Sequence, residues 1–549
     1  MAEDSFSSTA SRRSFLTAVG GVGAASLLAG CAGGGGEATA TETQTATDTP
    51  TKTQTETETT TEQPTGEFPV SITQGQMPTT LDPHDNRSIP TDIVMMQAYE
   101  SLLRRDRKGK IEKSLATGWE RIEPGRVRFQ IRDGPTFHKT GNALTPEDVA
   151  YSINRIVDPK VGFKSPQASQ LAGVTGAEVV DGERAVDLIS DGLNPILIAQ
   201  IPNNGQVMEK QWVQNHQKSY IAKNINGTGP FELSEYEANV RVVFTNYDDY
   251  WQEPAAVTEL TFQAAKEPSV RVNQLVEGET DIIVNVPPQS VPRVRNAGNA
   301  RIDAVPSTRI IYNAMRTDVE PFSSQQFRKA MNYAVDLRSI IKNVLSGLGD
   351  ETSQPTLEGF FGYNQNVQMY PYDQERAQQL VEESGHAGVS ITLHTPVGRY
   401  LKDIQIAQAV VNMIDQLDNV SAEVKQREFG ALAQELVDGD ITTSPHFYLI
   451  GWGNAQMDAA RTIIPTLTSD GVLTSFKNDH LDSLIKQAQN TTGDERRQLL
   501  EEANAFCHDQ ATWIFLNRQY SVYGASSRIN WKARRDERID AYAITPAES

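Results

Sequence analysis

The break at residue 66 constrains this chain more than any other feature. Residues 37–66 are mostly Thr and Glu, with no apolar periodicity. Such a run buries too little surface to offset its own ordering entropy. Folding therefore has to begin near residue 67, and residues 32–66, which open with Gly33–Gly36, read as an extended tether. Repelling Glu side chains stretch such a segment. Its threonines are candidate sites for sugar attachment.

What precedes the tether reads as an address. Ser11-Arg12-Arg13-Ser14-Phe15-Leu16 leads into a small, apolar stretch that ends in Leu28-Ala29-Gly30-Cys31. A charged start, a short apolar run and small residues before a cut make up an export signal. The Arg pair resembles a twin-arginine signal. Leu-Ala-Gly-Cys resembles a lipobox, in which the cysteine takes the lipid. Residues 1–31 are thus expected to be a lipoprotein signal, with Cys31 as the membrane anchor. The mature protein is expected on the outer face of the cytoplasmic membrane. Cys507, the second of two cysteines, is then a buried free thiol.

Charge narrows the partners. The formal balance is -20, from 70 acidic and 50 basic residues. A nucleic-acid backbone recruits basic stripes, so a nucleic-acid partner is not expected. Of the 50 basic residues, 18 are Lys and 32 Arg. Acid excess with few lysines resembles proteins of salt-loving microbes, and a halophilic archaeal source is expected. An ordinary acidic secreted protein is the alternative. No stretch reaches the roughly 20 consecutive apolar residues of a spanning helix.

From Phe68 onward, strand and helix patterns alternate. Val127, Phe129 and Ile131 alternate with arginines, as in a half-buried strand. Thr145-Pro146-Glu147-Asp148 has the chemistry of a helix start. Phe327, Met331, Ala334, Ile341 and Leu345 trace one long helix, and Ile404 to Leu417 another. Further helices are expected near 429–436 and 481–487, and Trp513 to Leu516 reads as a strand. Trp119 and Tyr333 are expected in cores. A layered α/β fold follows.

The order of motifs goes further. Leu81-Asp82-Pro83, Tyr99-Glu100-Ser101-Leu102, Leu115-Ala116-Thr117-Gly118-Trp119-Glu120 and Leu144-Thr145-Pro146-Glu147-Asp148-Val149-Ala150 come early. Gly227-Thr228-Gly229-Pro230-Phe231, Phe327-Arg328-Lys329-Ala330, Tyr333-Ala334-Val335-Asp336 and Gly451-Trp452 follow. This series resembles solute-binding family 5, the extracellular dipeptide, oligopeptide and nickel binding proteins of ABC importers. The resemblance implies a two-lobed periplasmic-binding-protein-like clamp of α/β class, with an extra subdomain in the first lobe. Lobe I is expected over 67–310, lobe II over 311–511 and a return to lobe I over 512–549. The crossings are expected near 307–317 and 510–516. The resemblance also implies a monomer, a peptide or other small polar ligand, delivery to an ABC permease, no cofactor and no catalysis. A sugar-binding or chemosensory protein of the same fold is an alternative, and a secreted hydrolase a remote one.

Site residues follow from the same resemblance. In peptide-binding relatives an Asp three positions after the Trp grips the peptide ammonium. Here that position is Ala455. A buried ammonium without a carboxylate costs several kcal/mol, so capture of a free peptide amine is not expected there. Trp452, Gly453, Asn454 and Asp458 remain as ligand candidates, although Asp458 also suits a local bond within the loop. Arg316, where many relatives have Asn, is expected close to the cleft, as a candidate for a ligand carboxylate or for an ion pair with an acid across the hinge. Tyr312 is a candidate cleft aromatic. The eight histidines form no zinc spacing. His446 is considered for a nickel chelate, and a satisfied surface or core role is the alternative.

Overall fold

A 16-residue strand, Ala300–Met315, runs unbroken through the middle of the molecule. Ordinary strands have five or six residues, so this one serves two bodies. The computed structural model describes residues 66–548 except 87 and 438–442. The signal, Cys31 and most of the tether lie outside the described residues.

The long strand pairs antiparallel with the return strand Trp513–Ser526. Around this pair a single sheet extends both ways. On one side it continues through Phe447–Gly453, Val389–Pro396 and Val420–Arg427. On the other it continues through Ile282–Ile283, Pro69–Gln74, Glu259–Ala264, Arg241–Asn246 and Phe231–Glu237. Each half has its own core. Val70, Ile72, Phe244, Phe262 and Trp531 fill the first. Phe327, Leu393, Val410, Phe447 and Ile514 fill the second. A third core, with Phe129, Ile153 and Leu188, lies under a separate four-stranded sheet built from residues 116–190. The fold is the two-lobed clamp with an extra subdomain.

The hinge is visible in the register. Pro306 pairs with Tyr520 and Ile310 with Arg518, so residues 307–309 bulge opposite a single residue, Gln519. A bulge bends and twists the strand that carries it. Arg518 bridges the bend, its Nε donating to the Ser307 carbonyl at 2.6 Å. Trp513 to Leu516 belong to the second core, whereas Tyr523 and Ala525 belong to the first. A boundary at 511/512 therefore falls inside the second core, and the chain returns only after residue 516.

Local chemistry explains much of the rest. In helix Pro146–Val157, Thr145 Oγ1 accepts from the Asp148 amide and Asp148 accepts from the Thr145 amide. This reciprocal cap satisfies two otherwise orphaned donors. Val127, Phe129 and Ile131 are all buried, as their alternation requires. The long helix expected from 327 to 345 is instead broken into Gln325–Tyr333 and a separate turn from Leu337. Asp336 causes the break by capping the second piece, accepting from the Ser339 amide at 2.9 Å. Trp119 is not in a core but 37% exposed. It sits on the edge strand Ala116–Glu123, which has a partner on one side only. No helix among the described residues is long and apolar enough to cross a membrane.

Candidate functional site

Two loops of the second lobe reach the hinge, and they differ in what their side chains do. The first follows strand Phe447–Gly453 and contains the motif residues. Asp458 is buried and takes a two-pronged ion pair from Arg496, at 2.7 and 2.8 Å. Asn454 is also buried. Its amide nitrogen donates to the Asp458 carbonyl and to Thr462 Oγ1, and its oxygen accepts from the Met457 amide. The Trp452 indole N–H donates to the Arg461 carbonyl at 3.0 Å. Asn454 and Asp458 thus have their polar capacity engaged in shaping the loop.

The tip of this loop is seated in the first lobe. The Ala455 carbonyl accepts from the Asn203 amide at 3.3 Å, and the Gln456 carbonyl accepts from Arg105 Nη2 at 3.1 Å. Met457 has a left-handed φ of 56°, uncommon for a residue with a side chain. Its sulfur lies so near Gly109 that a Cβ there would be 2.5 Å away. Arg105 is buried, and desolvation brings its pKa down to about 10. The backbone of Ala455 is therefore engaged with the first lobe. It is part of the lobe-to-lobe seam.

Tyr312 and Arg316 lie elsewhere. Arg309 pairs with Gly453 and Met315 with Phe447, so the long strand leads away from the hinge into the second lobe. Six residues of strand span about 20 Å. Tyr312 is 2% exposed, inside the second core, and stacks on Trp513 with ring centroids 3.6 Å apart. Arg316, at the far end, grips Asp318 at 2.6 and 3.0 Å. The expected closeness of Arg316 to the cleft is corrected by this register, and its partner is an acid two residues on rather than one across the hinge. His446 is exposed at that same distant end. Among the described residues no group of three or more His, Cys, Asp or Glu is placed to hold a metal ion.

The second loop, residues 397–402, follows strand Val389–Pro396. The buried Asp403 carboxylate builds it by accepting from the backbone N–H groups of Gly398, Arg399, Tyr400 and Ile404, at 2.7 to 3.2 Å. Burial raises the Asp403 pKa and these donors oppose the rise. The loop presents Arg399, whose guanidinium sits 5.2 Å from the Tyr400 ring centre and 5.0 Å from that of Phe429. From the hinge bulge, Arg309 approaches the same Tyr400 ring at 6.0 Å. The Arg399 Nε is buried with no hydrogen-bond partner. Burial, and next the Arg309 charge, lower the Arg399 pKa. Among the described residues neither guanidinium has a carboxylate within ion-pairing distance. Two adjacent cations on aromatic faces form a place for an anion. In the sequence Gly398-Arg399-Tyr400 matches no spacing pattern, and only its place just beyond a strand end distinguishes it.

A cavity of about 100 Å³ lies in the first lobe, with Glu100, Arg105, Asn203, Tyr250 and Arg534 among its walls. Glu100 accepts from Thr228, Tyr250 and Trp251 at 2.9 to 3.0 Å. Burial outweighs these donors and takes its pKa up to about 7. Cys507 is a buried free thiol that burial keeps protonated.

The fold and these loops can be set beside known proteins. Residues 110–473 match the model of the bacterial extracellular solute-binding proteins, family 5 Middle. The chain belongs to this family. Heme-binding protein A of Haemophilus influenzae is 24% identical over 81% of this chain and 86% of its own length. The dipeptide-binding protein of Escherichia coli is 25% identical over 73% of this chain and 80% of its own. The solved structure of HbpA2 from Haemophilus parasuis superposes with a TM-score of 0.79 at 18% identity, covering 87% of this chain and all of that one. The substrate-binding protein CtaP from Listeria monocytogenes gives 0.78 at 22% identity, over 88% of this chain and all of that one. As a member of solute-binding family 5 the protein is a binding protein of ABC transport and not an enzyme.

Proposed function

We propose that this protein is exported, held at the outer membrane face by lipid on Cys31, and captures a small anionic solute for an ABC permease. The observation that supports the ligand class is that Arg309 and Arg399 both approach the Tyr400 ring, with no carboxylate among the described residues within ion-pairing distance of either. A ligand carboxylate between them would gain charge-assisted bonds worth about 1.5–3 kcal/mol each. The motif loop supports the same reading from the other direction, because its carbonyls at 455 and 456 are already bonded to the first lobe. Ligand then holds the lobes together by binding the closed form better than the open one. Peptides, heme and nickel chelates are what similar proteins are named for, and a small peptide acid suits the arginine pair best. The acidic, arginine-rich composition suits a salty exterior. A tether holds the capture domain near its permease and raises its effective concentration there.

The test compares small peptides ending in a free carboxylate with the same peptides ending in an amide, by calorimetry on purified protein. Acids should bind at least tenfold more tightly. Equal binding of acid and amide would remove the anionic reading. For the anchor, Cys31→Ser should move the protein from the membrane to the soluble fraction. Full membrane retention of that variant would show that Cys31 is not the attachment point.

A further inference from the structure

We propose that Glu537, on the first lobe, anchors a cationic group of the ligand opposite the Arg309/Arg399 pair, so that the site takes a zwitterion. The proposal rests on the anionic reading above and adds the partner for the other end of the ligand.

Glu537 lies in Arg534-Arg535-Asp536-Glu537-Arg538, where charges are mostly matched. Arg534 pairs with Asp536 at 2.7 Å, and Arg538 with Asp92 at 2.8 Å. Arg535 is left without such a partner among the described residues, and so is Glu537. Its carboxylate accepts from the Ser521 hydroxyl at 3.1 Å, and among the described residues no cation is within ion-pairing distance of it. Its backbone has a left-handed φ of 61°. For a non-glycine residue that conformation persists only where the surroundings hold it, and it gathers at binding sites.

The hinge strand brings this acid to the arginines. Gln519 is the single residue opposite the bulge that carries Arg309, and its side chain accepts from the Leu401 amide at 3.1 Å, pinning the loop of Arg399. Ser521 is two residues along, on the same strand face, about 7 Å away. It holds Glu537. Arg309 from the hinge bulge, Arg399 from the second lobe and one carboxylate from the first lobe thus converge on neighbouring positions of one strand. The Glu537 charge is felt at Arg399 in the expected sense. An ammonium and a carboxylate on one small molecule would bridge this gap and join the lobes. This also explains how the chain can lack an acid at Ala455 and still hold a ligand amine.

Native mass spectrometry on the full protein tests this with a pool of di- and tripeptides in three forms: unmodified, N-acetylated and C-amidated. The wild type should favour unmodified peptides over N-acetylated ones about tenfold, as expected for one charge-assisted contact. Glu537→Gln should bring that ratio to about one while still retaining N-acetylated acids. Glu537→Asp should keep part of the preference, which separates lost charge from lost folding. A preference that survives in Glu537→Gln, or is absent from the wild type, overturns the role of Glu537. If amides bind as well as acids, or if nothing in the pool binds, the anionic reading itself fails, and this proposal with it.

Discussion

The two loops at the hinge come from the same lobe and carry comparable polar chemistry, yet they do opposite work. Loop 453–458 bonds to itself through Asn454, to helix Gly493–Asp509 through Asp458 and to the other lobe through its carbonyls. Loop 397–402 is held at its backbone by Asp403 and Gln519 and through the Tyr400 hydroxyl, which donates to the Gly451 carbonyl, and among the described residues the Arg399 head has no hydrogen-bonded acid. A polar group that is already paired at close to ideal geometry has little left to offer a ligand. The comparison teaches that the residues that announce the family hold the clamp together, while a less conspicuous stretch carries the arginine proposed to meet the ligand.

The largest expected effect would come from removing the free cations. Arg309→Ala with Arg399→Ala should weaken binding of an acid-bearing peptide at least 100-fold in calorimetry, with little change in melting temperature. Unchanged affinity would erase the distinction between the loops. On the structural side, Arg496→Met leaves Asp458 buried without its cation and should lower stability by about 3–5 kcal/mol, read by denaturant unfolding. Affinity of the folded fraction should change far less.

Gly109→Ala sharpens the seam. Its Cβ would collide with the Met457 sulfur, so closure should weaken and affinity fall about tenfold, with on-rates largely kept. A smaller effect is expected on pH. His84 and His138 are buried, and burial takes both pKa values from 6.5 to about 4. Unfolding therefore takes up two protons below pH 6.5, and stability falls as pH drops toward 4. Glu100 opposes this between pH 7 and 4.5, because it is protonated more readily in the folded state. Melting temperature should still fall, since two groups outweigh one, and Glu100→Gln should steepen the fall. Smallest of all, Ala455→Asp should change affinity for free peptides less than about threefold. A large gain would mean that the motif loop can still serve as the amine anchor.

Much of this was legible in the chain. The reciprocal cap at Thr145 and Asp148 and the buried alternation at Val127, Phe129 and Ile131 are local, so neighbouring residues sufficed to show them. The motif order identified the clamp. Helix Gly493–Asp509, the longest, was not singled out, because its buried face mixes Arg496 and Asn504 with Leu500, Ala503 and Cys507. Trp119 was misplaced because hydrophobicity does not reveal which strand is at an edge.

By itself the sequence determined which fold results and that residue 455 has no acid, since these depend on motif order and local composition. Only the tertiary structure decided which polar residues remained free. Arg316 and Arg399 look alike in a sequence, but one meets Asp318 and the other meets no such acid among the described residues. Pairing is set by distances between segments far apart in the chain, and it is pairing that decides which charge is left for a ligand.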